Sequence, residues 1–467
     1  MGSISAALNT AGSALDVIGQ AMGVIQNNVA NASTPGYVTQ TLELSASPFD
    51  ASQNLWGGVT SAGVQSSRDV YAEQAVWTAN QQVGQSTQEA SSLNSLQSSF
   101  DVSGTSGIPA ALSSLYAAFS AWSANPTDTA SRQQVLTAAT TLSQSFNQTA
   151  SNISQLSSQT DQQISGTVSQ INSLTSQIAS INGEIQNGDR QDAGVQTQLY
   201  NALEQLSNLA PISVQTASDG TATVLLGGQS PLVLGSEQHQ LSVASGGTPD
   251  AQLLNDQGQD VTYLASQGQL GGLLNFRNQT IPSVIGDSQQ QGSLNQLAQS
   301  IADTVNNTLT AGQVSAGPPV VSGIPLFSYS ASSPAGVASS LSLSSSISAS
   351  TLAAIAPGPP SVANGTASAL ADLSTSNEIN NVTYTGFYSG VAADIGQQQS
   401  NAAANQTTQS QLLAQAQNLR DQVSGVSLNQ QATLLMQYQE SYQAAAQLIS
   451  VITTTTQDLL TTMQGIH

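Results

Sequence analysis

The two histidines are the first residues to examine for chemistry, because an imidazole can act as a general base, a nucleophile or a metal ligand near neutral pH. His239 follows the polar run Gly235-Ser236-Glu237-Gln238, and His467 is the last residue of the sequence. Neither stands at a metal-binding spacing or beside a nucleophile motif. The sequence therefore predicts a protein that is not an enzyme, with no catalytic residue, no metal site and no cofactor.

The acidic residues and the glycines also lack the spacing of a known site. Asp189 and Asp192 lie in a glycine-bounded segment, which is typical of a solvated loop, and the other acidic residues form no calcium-binding loop. Gly268, Gly271 and Gly272 come without the lysine of a phosphate-binding loop and do not fit the dinucleotide fingerprint. We interpret these three glycines as a turn before a helix.

The composition indicates a surface that is polar but hardly charged. Only 7% of the 467 residues are charged, whereas globular proteins usually contain about a quarter. Ser, Thr, Gln, Asn and Ala take their place, and such a surface suits packing against identical copies, where like charges would repel. The five basic residues are dispersed arginines and the formal net charge is −21. Nucleic acids and anionic membrane surfaces are therefore excluded as partners.

Few features bear on targeting. The sequence has no cysteine, which excludes disulfide bonds and thiol catalysis and is compatible with work outside the reducing cytosol. The first 20 residues contain no Lys or Arg and no continuous apolar core, so they do not form a cleaved secretory signal. No apolar stretch reaches the roughly 18 residues of a membrane-spanning helix. Export, if it occurs, would need a route without signal cleavage.

Both ends of the chain carry a seven-residue apolar repeat, which predicts two long helices that each present one apolar stripe. Each stripe needs another helix to cover it, so we expect the two ends to pair as a coiled coil and to fray when alone. The N-terminal stripe consists of Ile4, Leu8, Ala11, Leu15, Ile18, Met22, Ile25, Val29 and Ala32. The C-terminal stripe consists of Leu435, Tyr438, Tyr442, Ala445, Ile449, Ile452, Thr456, Leu459, Met463 and Ile466.

Between the ends, the sequence predicts a mainly α protein, a long-helix bundle with a small inserted β domain. Helical spacing of apolar residues runs through 70–210, 270–309 and 370–416, and short apolar runs between glycine turns predict strands in 211–265. The expected organisation is a terminal coiled-coil domain from 1–60 and 425–467, a helical body from 61–210 and 266–424 with an irregular segment at 312–365, and a β insert at 211–265.

The N-terminal helix is predicted to end at a specific sequence motif. Pro35 disfavours a helical Thr34, and Gly36 suits the positive φ of a tight turn. The motif resembles the N-terminal signature of the family of bacterial flagellar rod, hook and hook-associated proteins, and the run from Ser424 to Leu428 resembles the matching C-terminal end. The signature residues are Asn28, Ala30, Asn31, Thr34, Pro35, Gly36 and Tyr37.

Internal stretches resemble the hook–filament junction members of that family. They lie at 125–136, 171–182, 268–282 and 323–327. Two departures leave ion pairs open at their positions: Asn429-Gln430-Gln431 stands where acidic residues are common, and an Asp/Arg-containing run is reduced to 199–204.

The resemblance implies an extracellular structural subunit of the flagellum. Such proteins are exported unfolded through the flagellar type III secretion apparatus with an export chaperone, and a ring of copies then joins hook to filament. The implied partners are further copies of the chain, the hook protein and the second hook–filament junction protein. Three alternatives stay open: a rod or hook protein, which would be richer in β-structure; a secreted adhesin that binds through the β insert; and an extracellular hydrolase, for which no motif is present.

Overall fold

A computed structural model describes residues 2–50, 55–188, 192–244, 250–330 and 334–464. The protein is mainly α-helical, with small β elements between the helices, as the sequence predicts. Its helices are α1 (Gly2–Ala30), α2 (Val70–Gln97), α3 (Gly107–Ala124), α4 (Thr129–Gln186), α5 (Ala193–Leu209), α6 (Gly268–Asn275), α7 (Ile281–Ile285), α8 (Ser293–Ala311), α9 (Val337–Ser340), α10 (Gly365–Asp372), α11 (Tyr384–Ser424) and α12 (Leu428–Gln464).

The strands are short, and all of their pairings are antiparallel. The largest sheet has four strands in the order β5-β6-β7-β8, and the other strands form two-stranded pairs. They are β1 (Gln40–Ala46), β2 (Phe49–Asp50), β3 (Leu55–Trp56), β4 (Val59–Ser66), β5 (Ile212–Thr216), β6 (Ala222–Leu226), β7 (Ser230–Leu234), β8 (Glu237–Gln238), β9 (Ser242–Val243), β10 (Leu253–Leu254), β11 (Gln313–Ser315), β12 (Val321–Ser322), β13 (Phe327–Ser328) and β14 (Ser342–Leu343).

Helix α4 contributes apolar residues to both large cores of the body. It has 58 residues and begins at Thr129. The carboxylate of the preceding Asp128 accepts the Ser131 N–H at 2.8 Å and thereby caps the first turn. Its apolar residues at 135–153 belong to a core shared with α3, α8, α10 and the start of α11. Those at 164–185 belong to a second core, shared with α5, α6 and the sheet β5–β8. One helix of about 85 Å therefore connects both cores.

The four-stranded sheet is fixed to α4 by a buried amide. Asn182 donates from Nδ2 to the carbonyls of Ala222 (2.8 Å) and Gly235 (2.6 Å), and its Oδ1 accepts the Ala222 N–H at 2.9 Å. Side chains of the sheet such as Val224 and Leu232 are fully buried against the helix layer. The sheet thus forms part of the second core.

The terminal helices α1 and α12 pack side by side, and the hairpin of β1 and β4 packs against α1. Strands β1 and β4 pair from Gln40↔Ser66 to Ala46↔Val59, and Leu42 packs on Val17 and Ala21 of α1. This hairpin is not predicted by the sequence pattern, because Leu42 and Leu44 alternate with polar residues over too short a run. The division of the chain into domains stays a prediction.

Two of the predicted helices are interrupted. The helix expected over 370–416 is two helices, because Asn380 and Asn381 adopt positive φ angles of 49° and 61° in a turn before α11. The helix expected over 270–309 breaks after Ile285, where Gly286 and Gly292 both have a φ of 73°. Within the described ranges, no helix combines the length and the apolar character that crossing a membrane requires.

The three glycines expected before a helix belong to α6 itself. Helix α6 begins at Gly268, and a Cβ at Gly272 would lie 3.0 Å from the Gln85 carbonyl oxygen of α2. A Cβ at Gly84 of α2 would overlap the carbonyl oxygen of Asn208 in α5. Gly268, the first residue of α6, has a φ of 71°, as expected for a turn before a helix. Gly84 and Gly272 instead allow α2, α5 and α6 to approach closely.

Candidate functional site

The signature motif forms a compact turn after α1. Thr34 donates from Oγ1 to the Asn31 side chain at 3.2 Å, and Asn31 donates from Nδ2 to the Asn27 carbonyl at 3.0 Å. The backbone N–H of Tyr37 returns to the Thr34 carbonyl at 3.1 Å. Gly36 has a φ of 72°, which residues with a Cβ rarely adopt. The turn redirects the chain from α1 into the hairpin.

The Asn28 side chain fixes this turn through hydrogen bonds. Its side chain is 1% exposed. Its Nδ2 donates to the Gln40 carbonyl at 2.8 Å and to Oε1 of Gln431, on α12, at 3.1 Å. Its Oδ1 accepts the Gln40 N–H at 2.9 Å and the Tyr37 hydroxyl at 2.9 Å. Because both donors and both acceptor positions of the amide are used, Asn28 links α1, the hairpin and α12 in one geometry.

The same site fixes the bend between α11 and α12. The Thr39 N–H donates to the Ser424 carbonyl at 2.9 Å, and the Thr39 hydroxyl donates to the Gly425 carbonyl at 2.8 Å. From the other side, the Asp69 N–H donates to the Ser424 hydroxyl at 3.1 Å. A Cβ at Gly425 would overlap the Asp421 carbonyl oxygen. The N-terminal segments therefore position the start of the C-terminal helix.

A cluster of four charged residues lies behind the turn. The Arg68 guanidinium donates to the Gly36 carbonyl at 2.7 Å and pairs with Glu73 of α2. Arg420 of α11 pairs with Glu204 of α5 at 2.7 Å and approaches Glu73 at 3.6 Å. Glu73 and Arg68 are almost fully buried. The cluster therefore ties the signature turn to three helices of the body.

Aromatic rings complete the cluster. The Arg68 guanidinium stacks 3.9 Å from the centre of the Tyr200 ring, which in turn stacks on Trp77 with centroids 5.8 Å apart. A guanidinium over an aromatic face is a favourable arrangement where water is excluded. The charge on Arg68 is thus compensated by a carboxylate, a carbonyl and a ring.

Burial and charge act against each other on the ionisation of this cluster. Burial raises the pKa of Glu73, while the charges of Arg68 and Arg420 act to lower it. Burial lowers the pKa of Arg68, while Glu73 acts to raise it. Burial also acts to lower the pKa of Arg420, but its hydrogen bond and charge interaction with Glu204 prevail and this pKa is raised. The cluster depends on its ion pairs to keep buried charges compensated.

Two grooves flank the turn. One, of about 920 Å³, is lined by Pro35 and Gly36 together with amide side chains such as Asn80 and Asn201 of α2 and α5. The other, of about 780 Å³, runs between the signature turn and the segment 420–427. Both grooves contain many uncharged polar side chains, which can donate and accept hydrogen bonds from a protein backbone.

The predicted stripe residues of α1 lie in three environments. Ala11 and Ile25 are buried, Ile4, Leu15, Ile18 and Met22 are half-buried, and Leu8 (41%) and Val29 (45%) are exposed. The buried face of α1 is rotated slightly from the predicted stripe. It consists of Ala6, Ala11, Val17, Ala21, Ile25 and Asn28.

The predicted stripe of α12 lies mostly on one face. Leu435, Tyr438, Ile449 and Ile452 are half-buried, whereas Tyr442 and Leu459 are exposed. The side chain of Met463, and Ile466 as a whole, lie outside the described residues, as does His467. The role of both stripes in assembly stays a prediction.

Sequence reasoning missed the charged cluster. The one signal in the sequence is the scarcity of basic residues. Because the chain has only five arginines, each can be expected to have a structural role. The sequence alone leaves ion pairs open at 199–204 and 429–431. Glu204 does form one with Arg420, whereas Gln431 replaces an acidic residue with a neutral hydrogen bond to Asn28.

The remaining candidates for chemistry lie apart from this site. His239 pairs through Nδ1 with Asp256 at 2.7 Å on the rim of the sheet region. Asp192 caps α5 by accepting the Gly194 N–H at 2.7 Å, while Asp189 and Arg190 lie outside the described residues. In the part of the chain that the structure describes, no three His, Cys, Asp or Glu side chains gather as a metal site would require.

Comparison with known proteins places the chain among flagellar proteins. Residues 93–327 match the family model described as the helical domain of flagellar hook-associated protein FlgK. The chain is 24% identical to flagellar hook-associated protein 1 of Bacillus subtilis over 95% of both chains. It is also 24% identical to flagellar hook-associated protein 1 of Salmonella typhimurium, over 66% of this chain and 57% of the relative.

The fold has a counterpart of known structure. The flagellar hook junction protein FlgK from Burkholderia pseudomallei superposes with a TM-score of 0.66 at 19% identity, over 76% of this chain and 100% of that one. At 19% identity, this similarity shows the fold alone.

Proposed function

This chain belongs to the FlgK family of flagellar hook-associated proteins, and we propose that it acts as a structural subunit that joins the hook to the filament. The observation that carries the proposal is the site around Asn28. There the family signature turn, the end of α11 and the start of α12 are fixed together by hydrogen bonds and buried ion pairs. Such a site sets the direction in which the paired terminal helices leave the body.

We further propose that copies of the chain associate as a ring. Apolar side chains stay exposed on both long C-terminal helices, as expected for surfaces that neighbours cover. Leu412 (44%), Leu419 (51%) and Val423 (53%) form a stripe with spacings of seven and four on α11, and Val451 (63%) is exposed on α12. Residues 396–419 contain no charged side chain, so copies with a net charge of −21 could meet there with little repulsion.

The partners and the location follow as further proposals. The proposed partners in the flagellum are the hook protein on one side and the second hook–filament junction protein on the other. Before assembly, the proposed partners are an export chaperone and the flagellar type III secretion apparatus. The assembled location is the extracellular flagellum. The absence of cysteine supports export as an unfolded chain, because no disulfide has to form afterwards. We also propose that the protein catalyses no reaction, since the family's role is structural.

Deletion of the gene tests the proposal. Cells without it are expected to carry hooks without filaments and to release flagellin into the medium, and a plasmid copy should restore filaments. Hooks are visible by electron microscopy, and flagellin in the medium by immunoblotting. Normal filaments on the deletion strain would contradict the junction role.

A further inference from the structure

Three Asn-Gly steps occur in the chain, at Asn182, Asn187 and Asn364. At such a step the glycine nitrogen can attack the asparagine side-chain amide, because glycine has no Cβ to hinder ring closure. We propose that Asn187 is a site of spontaneous deamidation in the folded protein, and that the fold protects the other two. The three steps share one local chemistry, so they differ only through their surroundings.

The reaction needs only water. The Gly188 nitrogen forms a bond to Cγ of Asn187, the Cγ–Nδ2 bond breaks, and ammonia leaves with the proton of the Gly188 N–H. Water then opens the cyclic succinimide at either carbonyl, and the product is aspartate or isoaspartate. In sum, one water is consumed and one ammonia is released.

Asn187 has the freedom that ring closure requires. It is exposed, stands at the C-terminal end of α4 with φ −81° and ψ −1°, and its side chain makes no hydrogen bond among the described residues. The Gly188 N–H donates a long bond of 3.3 Å to the Ile185 carbonyl. Among the described residues, no atom lies within 4 Å of the position that a Gly188 Cβ would take. Because helix ends fray, rotation about a single exposed residue brings the two reacting atoms together.

Asn182, in contrast, is buried and its side chain is hydrogen-bonded. It lies inside α4 with no exposed surface, and three hydrogen bonds of 2.6–2.9 Å join its side chain to Ala222 and Gly235. Ring closure there would break these bonds and the helix, and it would detach the sheet from α4. Reaction at Asn182 therefore requires a large opening of the second core.

Asn364 is also constrained. Its Nδ2 donates to the Ser123 carbonyl at 3.0 Å, and the Gly365 N–H donates to the Val362 carbonyl at 3.1 Å. A Cβ at Gly365 would lie 2.6 Å from Cβ of Ala356, so the backbone here has little room to turn. Both the amide and its attacking nitrogen are occupied.

Deamidation at Asn187 would add one negative charge to a chain that already carries −21. The charge would stand at the C-terminal end of α4, where the helix dipole disfavours an anion. Isoaspartate would also insert a methylene into the backbone. We expect the last turn of α4 to exchange its amide hydrogens faster after the modification.

The test follows all three sites in the full-length protein by mass spectrometry. Native protein and urea-unfolded protein are incubated side by side in mildly alkaline buffer and then cleaved after glutamate. Glu184 lies between Asn182 and Asn187, so the two sites fall on separate peptides. In native protein we expect conversion at Asn187 to exceed that at Asn182 and Asn364 by about tenfold or more, because each protected site must first open. In unfolded protein the three rates should converge.

Equal rates at the three sites in native protein would overturn the proposal. So would an Asn187 rate that rises by about tenfold or more on unfolding, because the native helix end would then be protective. The variant Asn187→Gln serves as control, since glutamine at the same exposed position closes a larger ring and reacts far more slowly. A mass increase of that peptide that persists in the variant would assign the reaction to another residue and reject Asn187.

Discussion

Asn28 carries four hydrogen bonds from one side chain, and they join three segments that are distant in sequence. Asn28→Ala would leave the Gln40 N–H and carbonyl without partners in a buried position. Each such group costs about 1–3 kcal/mol, so we expect a loss of this order in the stability of the terminal site. Faster hydrogen exchange at the Gln40 amide would report it. Asn9→Ala, at an exposed position of the same helix, is the matched control, and equal exchange in both variants would contradict the role of Asn28.

Glu73 is the carboxylate that two arginines approach. Glu73→Gln would leave Arg68 and Arg420 with less negative charge in a buried site, and breaking a buried pair in this way costs about 3–5 kcal/mol. We expect the urea midpoint of the body to fall accordingly. Glu89→Gln on the same helix serves as the control, because Glu89 accepts only a hydrogen bond from Gln85. If both variants unfolded at the same urea concentration, the cluster would not stabilise the body.

At the scale of single residues, the sequence predicts only part of the site around Asn28. The signature residues are recognisable as a motif, and Gly36 is expected at a positive φ from local rules alone. The partners of Asn28 and Arg68 could not be predicted, because Gln431 and Glu73 are brought near by tertiary packing over large sequence separations. Ordinary glutamines and glutamates give no local signal of such contacts.

Helix packing around α2 depends on glycines that local propensity disfavours. Gly84→Ala would place a Cβ against the Asn208 carbonyl oxygen, and forced overpacking costs about 1–3 kcal/mol. Gly166 of α4 is exposed, and no atom of the described part of the chain lies within 4 Å of its Cβ position, so Gly166→Ala should stabilise by up to about 1 kcal/mol. Thermal unfolding should therefore shift in opposite directions for the two variants. A shift of the same sign would show that propensity, not close approach, governs both positions.

Among the elements, the long helices are the ones that periodicity predicts. Helix α4 shows apolar residues at helical spacing over its whole length, and its Asp128 cap follows a proline turn. The β1–β4 hairpin is different, because its buried face is small and packs on α1, and most of its other positions are exposed. Its strands therefore lack the long alternation that would separate them from a loop.

On the scale of the whole molecule, the terminal helices stand apart from both large cores. Their shared cluster is small and consists of Val17, Ala21 and Leu42 with partly buried neighbours that include Tyr438. Such limited burial gives little local stability, so these helices should open more readily than the body. The sequence could predict their pairing from two stripes, but the periodicity of a single chain does not tell which face would meet another copy.

A charge on the facing stripes should separate assembly from folding. Ile18 and Ile452 are half-buried on α1 and α12, far in sequence from the residues of both large cores. We expect Ile18→Asp and Ile452→Asp to prevent incorporation into flagella, because a charge that assembly would cover without a partner costs on the order of several kcal/mol. The body should keep its urea midpoint, since its cores are untouched. The exposed positions Gln20→Asp and Thr453→Asp add the same charge to the same helices and should still assemble. If the control variants also failed to enter flagella, added charge alone would explain the loss and the stripes would have no specific role.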